Sequence, residues 1–160
     1  MPTIVIRSSG PGPRSLAAAS LLPCPPPCTY AFDSNEPLPP QHASSLHGTA
    51  SSPITITSLR RRAVLSGASS SPTATTGLLT LSNSSHVVIR DLDLHDAPPC
   101  NGSNVAYDPH GVWHPQWGLC GAGIAVLRSS HVTVEKVAVR DVWSWGWAAV
   151  GGSYLTVRDS

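Results

Sequence analysis

The fold is decided by a stretch that recurs along the chain, first as Ser85-His86-Val87-Val88-Ile89-Arg90-Asp91-Leu92-Asp93-Leu94-His95-Asp96. It aligns without a gap on Ser130-His131-Val132-Thr133-Val134-Glu135-Lys136-Val137-Ala138-Val139-Arg140-Asp141, and the pattern begins again as Ser153-Tyr154-Leu155-Thr156-Val157-Arg158-Asp159. The copies start 45 and then 23 residues apart. Fixed steps of this size indicate a solenoid, in which each repeat packs against its neighbours. The shorter step suits one turn of three short strands, and the longer step is the same turn with an insertion.

Each copy reads as two strands joined by a tight polar corner. Apolar and polar residues alternate on both sides of Arg90-Asp91, Glu135-Lys136 and Arg158-Asp159, and Asp tolerates the unusual backbone angles of such a corner. Stacking at the strand spacing of about 4.8 Å predicts one continuous core. In that core Val87, Ile89, Leu92 and Leu94 lie over Val132, Val134, Val137 and Val139. A β-sandwich of hairpins is the alternative, but hairpin turns such as Asn-Gly are missing between the runs.

Several segments resemble the pectate-lyase-like superfamily of right-handed parallel β-helices. They are residues 84–94, 121–134 and 151–159, and the runs at 51–57 and 63–67 are similar to an early coil of alginate-lyase and chondroitinase-B-like polysaccharide lyases. The resemblance covers residues 51–160 and implies an all-β, right-handed parallel β-helix of about three to four coils. Carbohydrate-active members have many more coils, and solenoid ends need caps. We therefore expect a truncated chain whose missing coils hold the real active site.

The first fifty residues have a different composition. Ten of the sixteen prolines lie in residues 1–40. Proline removes a backbone donor and is excluded from regular helices and central strands, so we expect residues 1–50 to be irregular and residues 51–160 to form the coils. The acid-free start, with Arg7, Arg14 and the apolar run from Leu16 to Leu22, is open to three readings: a poor secretory signal, a transit-like segment or an artefactual N-terminus.

Charge and hydropathy limit the partners. Only 12% of the residues are charged and the net charge is +1, which gives no electrostatic footprint for nucleic acid or an anionic membrane. No run approaches the roughly 20 apolar residues of a membrane-spanning helix. We expect neither nucleic acid nor membrane as a partner.

Aromatic residues concentrate at the corner after the third strand, which in the resembled family walls the carbohydrate cleft. The two variable segments there are residues 96–120 and 141–146, and all five tryptophans lie in or beside them. Indole faces can carry the CH face of a sugar ring. The predicted substrate-binding residues are Tyr107, Trp113, His114, Trp117, Trp143 and Trp145. The alternative is a small satellite core that fixes a long loop, and both readings can hold for different residues.

Two cysteines, Cys100 and Cys120, bracket the long insertion. A disulfide between them would restrain about twenty residues and contribute about 3 kcal/mol in the chain-entropy model. It would indicate an oxidising compartment, so we expect an extracellular or cell-surface protein. Zinc binding with His110 and His114 is the weaker option, because Gly111 and Pro115 argue against a helix that presents both histidines.

The repeat also stacks charged groups beside that corner. It places Asp96 over Asp141 and His95 over Arg140. Two carboxylates about 5 Å apart can share a proton, hold Ca²⁺ or act in glycoside hydrolysis. In lyases of the resembled family, an Arg or Lys base removes the proton beside a uronate whose carboxylate is neutralised by Ca²⁺ or cations. The resemblance thus implies Arg140 as the base, with Lys136 or His95 nearby; the structural alternative is turn capping by Asp and an ion pair for Arg140.

These features predict a protein that acts on an acidic polysaccharide, by lyase-type cleavage rather than hydrolysis or epimerisation. The alternative is a non-catalytic β-helix that binds glycans or serves as a surface scaffold. His86 and His131 hold equivalent strand-start positions, which favours a stacking or turn-bonding role.

Overall fold

The structure is a computed structural model that describes residues 1–68, 77–97, 121–143 and 145–160. Its elements in these ranges are β1 (Thr3–Ile6), α1 (Leu16–Ser20), β2 (Cys28–Phe32), β3 (Gln41–Ser44), β4 (Ile54–Ser58), β5 (Ala63–Ser66), β6 (Leu79–Ser82), β7 (Ser85–Arg90), β8 (Leu92–His95), β9 (Ile124–Leu127), β10 (Ser130–Glu135), β11 (Ala138–Val139), β12 (Trp147–Val150) and β13 (Ser153–Arg158). No helix in the described part of the chain is long and apolar enough to cross a membrane.

The strands form three sheets in which every pairing between strands is parallel. Sheet A has the order β1-β2-β4-β7-β10-β13, sheet B β11-β8-β5 and sheet C β12-β9-β6-β3. From β4 onward the chain visits A, B and C in turn and returns to A one strand further along. Nearly all regular structure is therefore parallel β-sheet, an arrangement consistent with a parallel β-helix.

The pairing register follows the sequence repeat. Val132 pairs with Val87, Val134 with Ile89 and Val139 with Leu94, as predicted from the alignment. The corner between sheets A and B has positive φ at Asp91 (56°), Lys136 (53°) and Asp159 (53°). Left-handed backbone at one corner position lets each coil turn in the same way, and Asp tolerates it better than most residues. The tight polar corner is confirmed.

The core is an apolar column enclosed by the three sheets. In β7 and β8, Val87, Ile89, Leu92 and Leu94 are buried while Val88 and Asp93 are half-exposed. Period-two alternation thus directs one face of each strand inward, where it stacks on the same face of the next coil.

The first fifty residues differ from the expected irregular segment, because they contain β1, β2, β3 and α1. β1 and β2 lengthen sheet A to six strands, beyond the three to four coils expected. Every proline of residues 1–40 lies outside these elements, Pro2 before β1 and the others between elements. Proline therefore restricts the connections and leaves the strands free to pair. At Leu38, between Pro37 and Pro39, the sheet B pairing shrinks to a single bridge to Leu65.

Helix α1 closes one end of the core. It packs against β1 and β3, the terminal strands of sheets A and C, and it buries Leu16 and Ala19. Ser15 caps the helix by accepting from the Ala18 N–H at 3.2 Å. The buried Gln41 side chain accepts from the Leu16 N–H at 2.8 Å, so a polar residue in β3 satisfies a helix donor that would otherwise be unpaired.

A serine ladder joins the coils at the corner between sheets C and A. The Ser129 hydroxyl accepts from the Ser84 N–H at 3.0 Å, and the Ser84 hydroxyl accepts from the Leu46 N–H at 3.1 Å. Each hydroxyl in turn donates to a carbonyl two residues earlier in its own coil. Because Ser84 and Ser129 are buried, water cannot replace these bonds.

Replacing Ser129 by Ala should lower the free energy of unfolding by about 1–3 kcal/mol, since it leaves the Ser84 N–H buried without a partner. Denaturant unfolding measures the loss. Ser130→Ala, at the half-buried neighbouring position, is the matched control. Equal stability of the two variants would contradict a structural role for the ladder.

Candidate functional site

The four predicted catalytic residues lie together at the end of sheet B. Leu94 and Val139 are paired, and the chain beyond them stays in register: the Arg140 N–H donates to the Leu94 carbonyl at 3.0 Å and the Ala97 N–H to the Asp141 carbonyl at 3.2 Å. Arg140 therefore lies beside His95, and Asp141 beside Asp96. Both aspartates have positive φ, 57° at Asp96 and 52° at Asp141, so the two coils turn alike here.

His95 and Asp96 form a close pair. The His95 Nδ1 lies 2.7 Å from the Asp96 Oδ2, and the imidazole is mostly buried while the carboxylate is about half-exposed. When Nδ1 carries the proton and donates it to Asp96, Nε2 is the ring nitrogen that can accept one. The pair thus has the arrangement of a base and the carboxylate that orients it.

Arg140 lies between two carboxylates. Its Nη2 is 3.4 Å from the Asp93 Oδ2, and its Nη1 is 3.8 Å from the Asp141 Oδ2. The side chain is 56% exposed, so these ion pairs add little stability. Their effect is positional, because they hold a cation at the surface next to His95. The second Asp93 oxygen, Oδ1, is buried and has no hydrogen-bond partner among the described residues.

Two of the predicted aromatic residues follow this cluster directly. Trp143 and Trp145 are 63% and 60% exposed, and the Trp145 carbonyl accepts from the Gly123 N–H at 2.9 Å. Trp147 differs from them, because it belongs to β12 and packs partly against the core. The remaining predicted binding residues, Tyr107, Trp113, His114 and Trp117, lie outside the described residues, as do Cys100 and Cys120.

The described residues contain no group of three His, Cys, Asp or Glu side chains placed to hold a metal ion. They do contain a disulfide between Cys24 and Cys28, which the sequence reading did not predict.

A second surface was not predicted as a site. The rings of His86 and His131 stack with centroids 4.4 Å apart, as their equivalent positions indicated, and Tyr154 extends the stack at 4.6 Å. The sequence signal was the third repeat copy, in which Tyr154 stands where the other two have histidine.

Comparison with known proteins gives one structural similarity. No family model matches the chain, and no curated protein matches it. Among solved structures, a GH136 lacto-N-biosidase from Eubacterium ramulus is similar, with a TM-score of 0.65 and 13% sequence identity. The match covers 98% of this chain and 33% of the biosidase chain, so the protein spans about a third of that structure's length. At this identity the similarity shows the fold alone.

Proposed function

We propose that this chain is part of a right-handed parallel β-helix of the pectate-lyase-like kind and acts on an acidic polysaccharide by β-elimination. The ordered return of the chain to three parallel sheets supports the fold, and so does the similarity to the biosidase. The neighbour's name denotes a carbohydrate-active enzyme, which supports a carbohydrate ligand here. A fold hosts many reactions, so the chemistry is argued from the side chains.

The observation that carries the elimination is the His95–Asp96 pair beside an exposed, doubly paired Arg140. A guanidinium stays protonated in proteins, so Arg140 suits charge neutralisation better than the base role implied by the family resemblance. His95 takes the role of base, and Asp96 orients it. In this assignment the uronate carboxylate binds next to Arg140, which makes the adjacent proton on C5 more acidic.

The proposed elimination consists of a proton abstraction and the loss of a leaving group. The Nε2 of His95 takes the C5 proton, and the C–H electron pair becomes the C4=C5 double bond. The C4–O bond breaks, and the leaving oxygen takes a proton from water. Asp96 stabilises the imidazolium that forms, as the buried carboxylate does in a Ser-His-Asp triad. If Ca²⁺ took part, Asp141 would help to hold it, because carboxylate oxygens are its usual ligands, and the ion would add to the neutralisation of the uronate charge.

A non-catalytic glycan-binding or scaffold β-helix is the second candidate. The exposed indoles of Trp143 and Trp145 favour it, since large aromatic side chains open to solvent are suited to stacking on sugar rings and need no chemistry beside them. For either function we propose an extracellular or cell-surface location, which the Cys24–Cys28 disulfide supports because disulfides persist in oxidising compartments.

The test incubates the protein with polygalacturonate, alginate and a neutral xylan, and follows reducing ends and the ultraviolet absorbance of the C4=C5 product together. We expect both signals to rise on an acidic polymer and neither on xylan. Reducing ends without absorbance would mean hydrolysis and would overturn the elimination. Binding without new ends would establish the scaffold alternative. Loss of cleavage in EDTA, restored by Ca²⁺, would assign part of the neutralisation to the ion.

A further inference from the structure

We infer that the outer face of sheet A has a separate binding groove for a neutral oligosaccharide chain. The groove has a volume of about 400 Å³ and is open to solvent. It is lined by Thr49, Ala50, Pro53, His86, Val88, His131, Thr133, Tyr154 and Thr156. These residues come from the segment before β4 and from β7, β10 and β13, all strands of sheet A. The His95–Arg140 cluster belongs to sheet B, so this groove is a different surface.

One side of the groove is the aromatic stack. The planes of His86 and His131 are 14° apart, and those of His131 and Tyr154 are 22° apart. All three residues have positive φ, between 52° and 56°, and the shared backbone geometry places the rings in register from coil to coil. All three residues line the groove, and each ring carries a polar atom that can bond a sugar hydroxyl.

The residues at the base of the groove repeat from coil to coil, in the direction in which the rings stack. Thr133 pairs with Val88 on one side and with Thr156 on the other, so two hydroxyls and the methyl groups of all three residues follow each other at the strand spacing. A linear polymer that lies along the sheet would therefore find similar donors, acceptors and apolar contacts in each coil.

The segment of residues 49–53 lines the groove near His86. Thr49 and Ser52 bond each other through their backbones at 3.1 and 3.2 Å, which folds this segment into a compact turn. Gly48 permits the turn to approach the stack, because a Cβ there would lie 2.7 Å from the His86 carbonyl oxygen and 2.8 Å from the Ile54 nitrogen. The backbone at Gly48 is thus packed against the backbone of His86, the first ring of the stack.

The lining selects the class of ligand. Among the described residues the lining contains no carboxylate, Lys or Arg; its polar groups are threonine hydroxyls, two imidazoles and the Tyr154 phenol, all of which can bond sugar hydroxyls. A shared metal ion is excluded for the two histidines by their stacking. An imidazole lone pair lies in the ring plane, and two nearly parallel planes with centroids 4.4 Å apart cannot both direct a nitrogen at one ion. Hydroxyls, ring edges and methyl groups together suit a neutral sugar chain.

The test is titration of the ¹⁵N-labelled protein with cellohexaose, xylohexaose and mannohexaose, with trigalacturonate as the charged probe. We expect at least one neutral hexaose to shift the amides of Thr133 and Thr156 at millimolar concentration or below, and trigalacturonate to leave them unchanged. Absence of such shifts with all three neutral sugars would overturn the inference, whatever the variants show.

Substitutions in the groove provide a second test of the inference. Tyr154→Ala and Thr133→Val should weaken the neutral sugar roughly five- to tenfold, since each removes about 1 kcal/mol of stacking or hydrogen bonding. Tyr154→Phe keeps the ring and removes the hydroxyl, so it should lose less affinity than Tyr154→Ala. His42→Ala changes an exposed residue of β3 in sheet C, outside the groove, and should bind within twofold of the parent protein. A His95→Ala variant should also bind normally, which separates this inference from the proposed elimination. Equal affinity of Thr133→Val, Tyr154→Ala and the parent would contradict the groove.

Discussion

We expect a His95→Ala variant to cleave the acidic polymer about 10²–10⁴-fold more slowly than the parent protein, because the proposed elimination uses His95 as its general base. The side chain lies at the end of β8 with Nδ1 2.7 Å from Asp96, while its neighbour Leu94 faces the core. Truncation therefore removes the base and leaves the buried column intact. The measurement is the initial rate of double-bond formation at saturating polymer, with a thermal melt of each variant recorded beside it.

The matched control is His42→Ala. His42 is an exposed histidine of β3, in sheet C, so its removal changes the count of imidazoles without touching the cluster. Asp96→Asn is the positioning test, because the amide can bond Nδ1 but cannot stabilise the imidazolium. It should lower the rate while the dependence on polymer concentration stays close to that of the parent. A His95→Ala protein that melts normally and cleaves at the parental rate would remove His95 from the mechanism.

The repeat predicted the stacking of coils because one physical rule governs both. Residues that occupy the same position in successive coils must share side-chain direction and backbone angles, so the alignment of residues 85–96 with 130–141 also gives the pairing of Ile89 with Val134. The same rule placed His95 beside Arg140 and Asp96 beside Asp141. A gapless repeat between stacked strands therefore predicts which residues lie next to each other in neighbouring coils.

Side-chain partners across the stack were harder to predict. Arg140 contacts Asp93, two positions before its stacking partner His95, because the guanidinium extends several ångströms back along the neighbouring strand. The groove on sheet A depends on three coils and on the turn at residues 49–53, which Gly48 brings close to His86. The repeat alignment contains no information about that turn.

The N-terminal strands were missed because their signal is short. β1, β2 and β3 have four or five residues each and are separated by proline-rich connections, so composition averaged over fifty residues hides them. Ile6, Tyr30 and Phe32 are nevertheless buried, and β2 pairs with β1 on one side and β4 on the other. Strand pairing with the next coil, rather than local propensity, selects the extended conformation here.

Replacing Phe32 by Ala should lower the free energy of unfolding by about 3–5 kcal/mol, the usual cost of deleting a buried aromatic side chain and leaving a cavity. Phe32 is 1% exposed, it pairs with Ile6 of β1 and Ser58 of β4, and its carbonyl accepts from the Leu59 N–H at 2.9 Å. Each coil is stabilised by its neighbours, so the loss should appear in the main cooperative transition of the chain. Denaturant unfolding followed by far-ultraviolet circular dichroism measures it.

Leu59→Ala provides the control, because Leu59 follows β4 in the next coil and its side chain is 44% exposed. Its truncation should cost well under half as much, since little apolar area leaves water in the folded state. The difference in stability between the two variants decides whether residues 1–50 unfold together with the later strands. If Phe32→Ala were as stable as Leu59→Ala, residues 1–50 would be a loosely attached segment, as their proline content first indicated. A large, cooperative loss for Phe32 alone means that β1 and β2 share one cooperative core with the strands that follow them in sheet A.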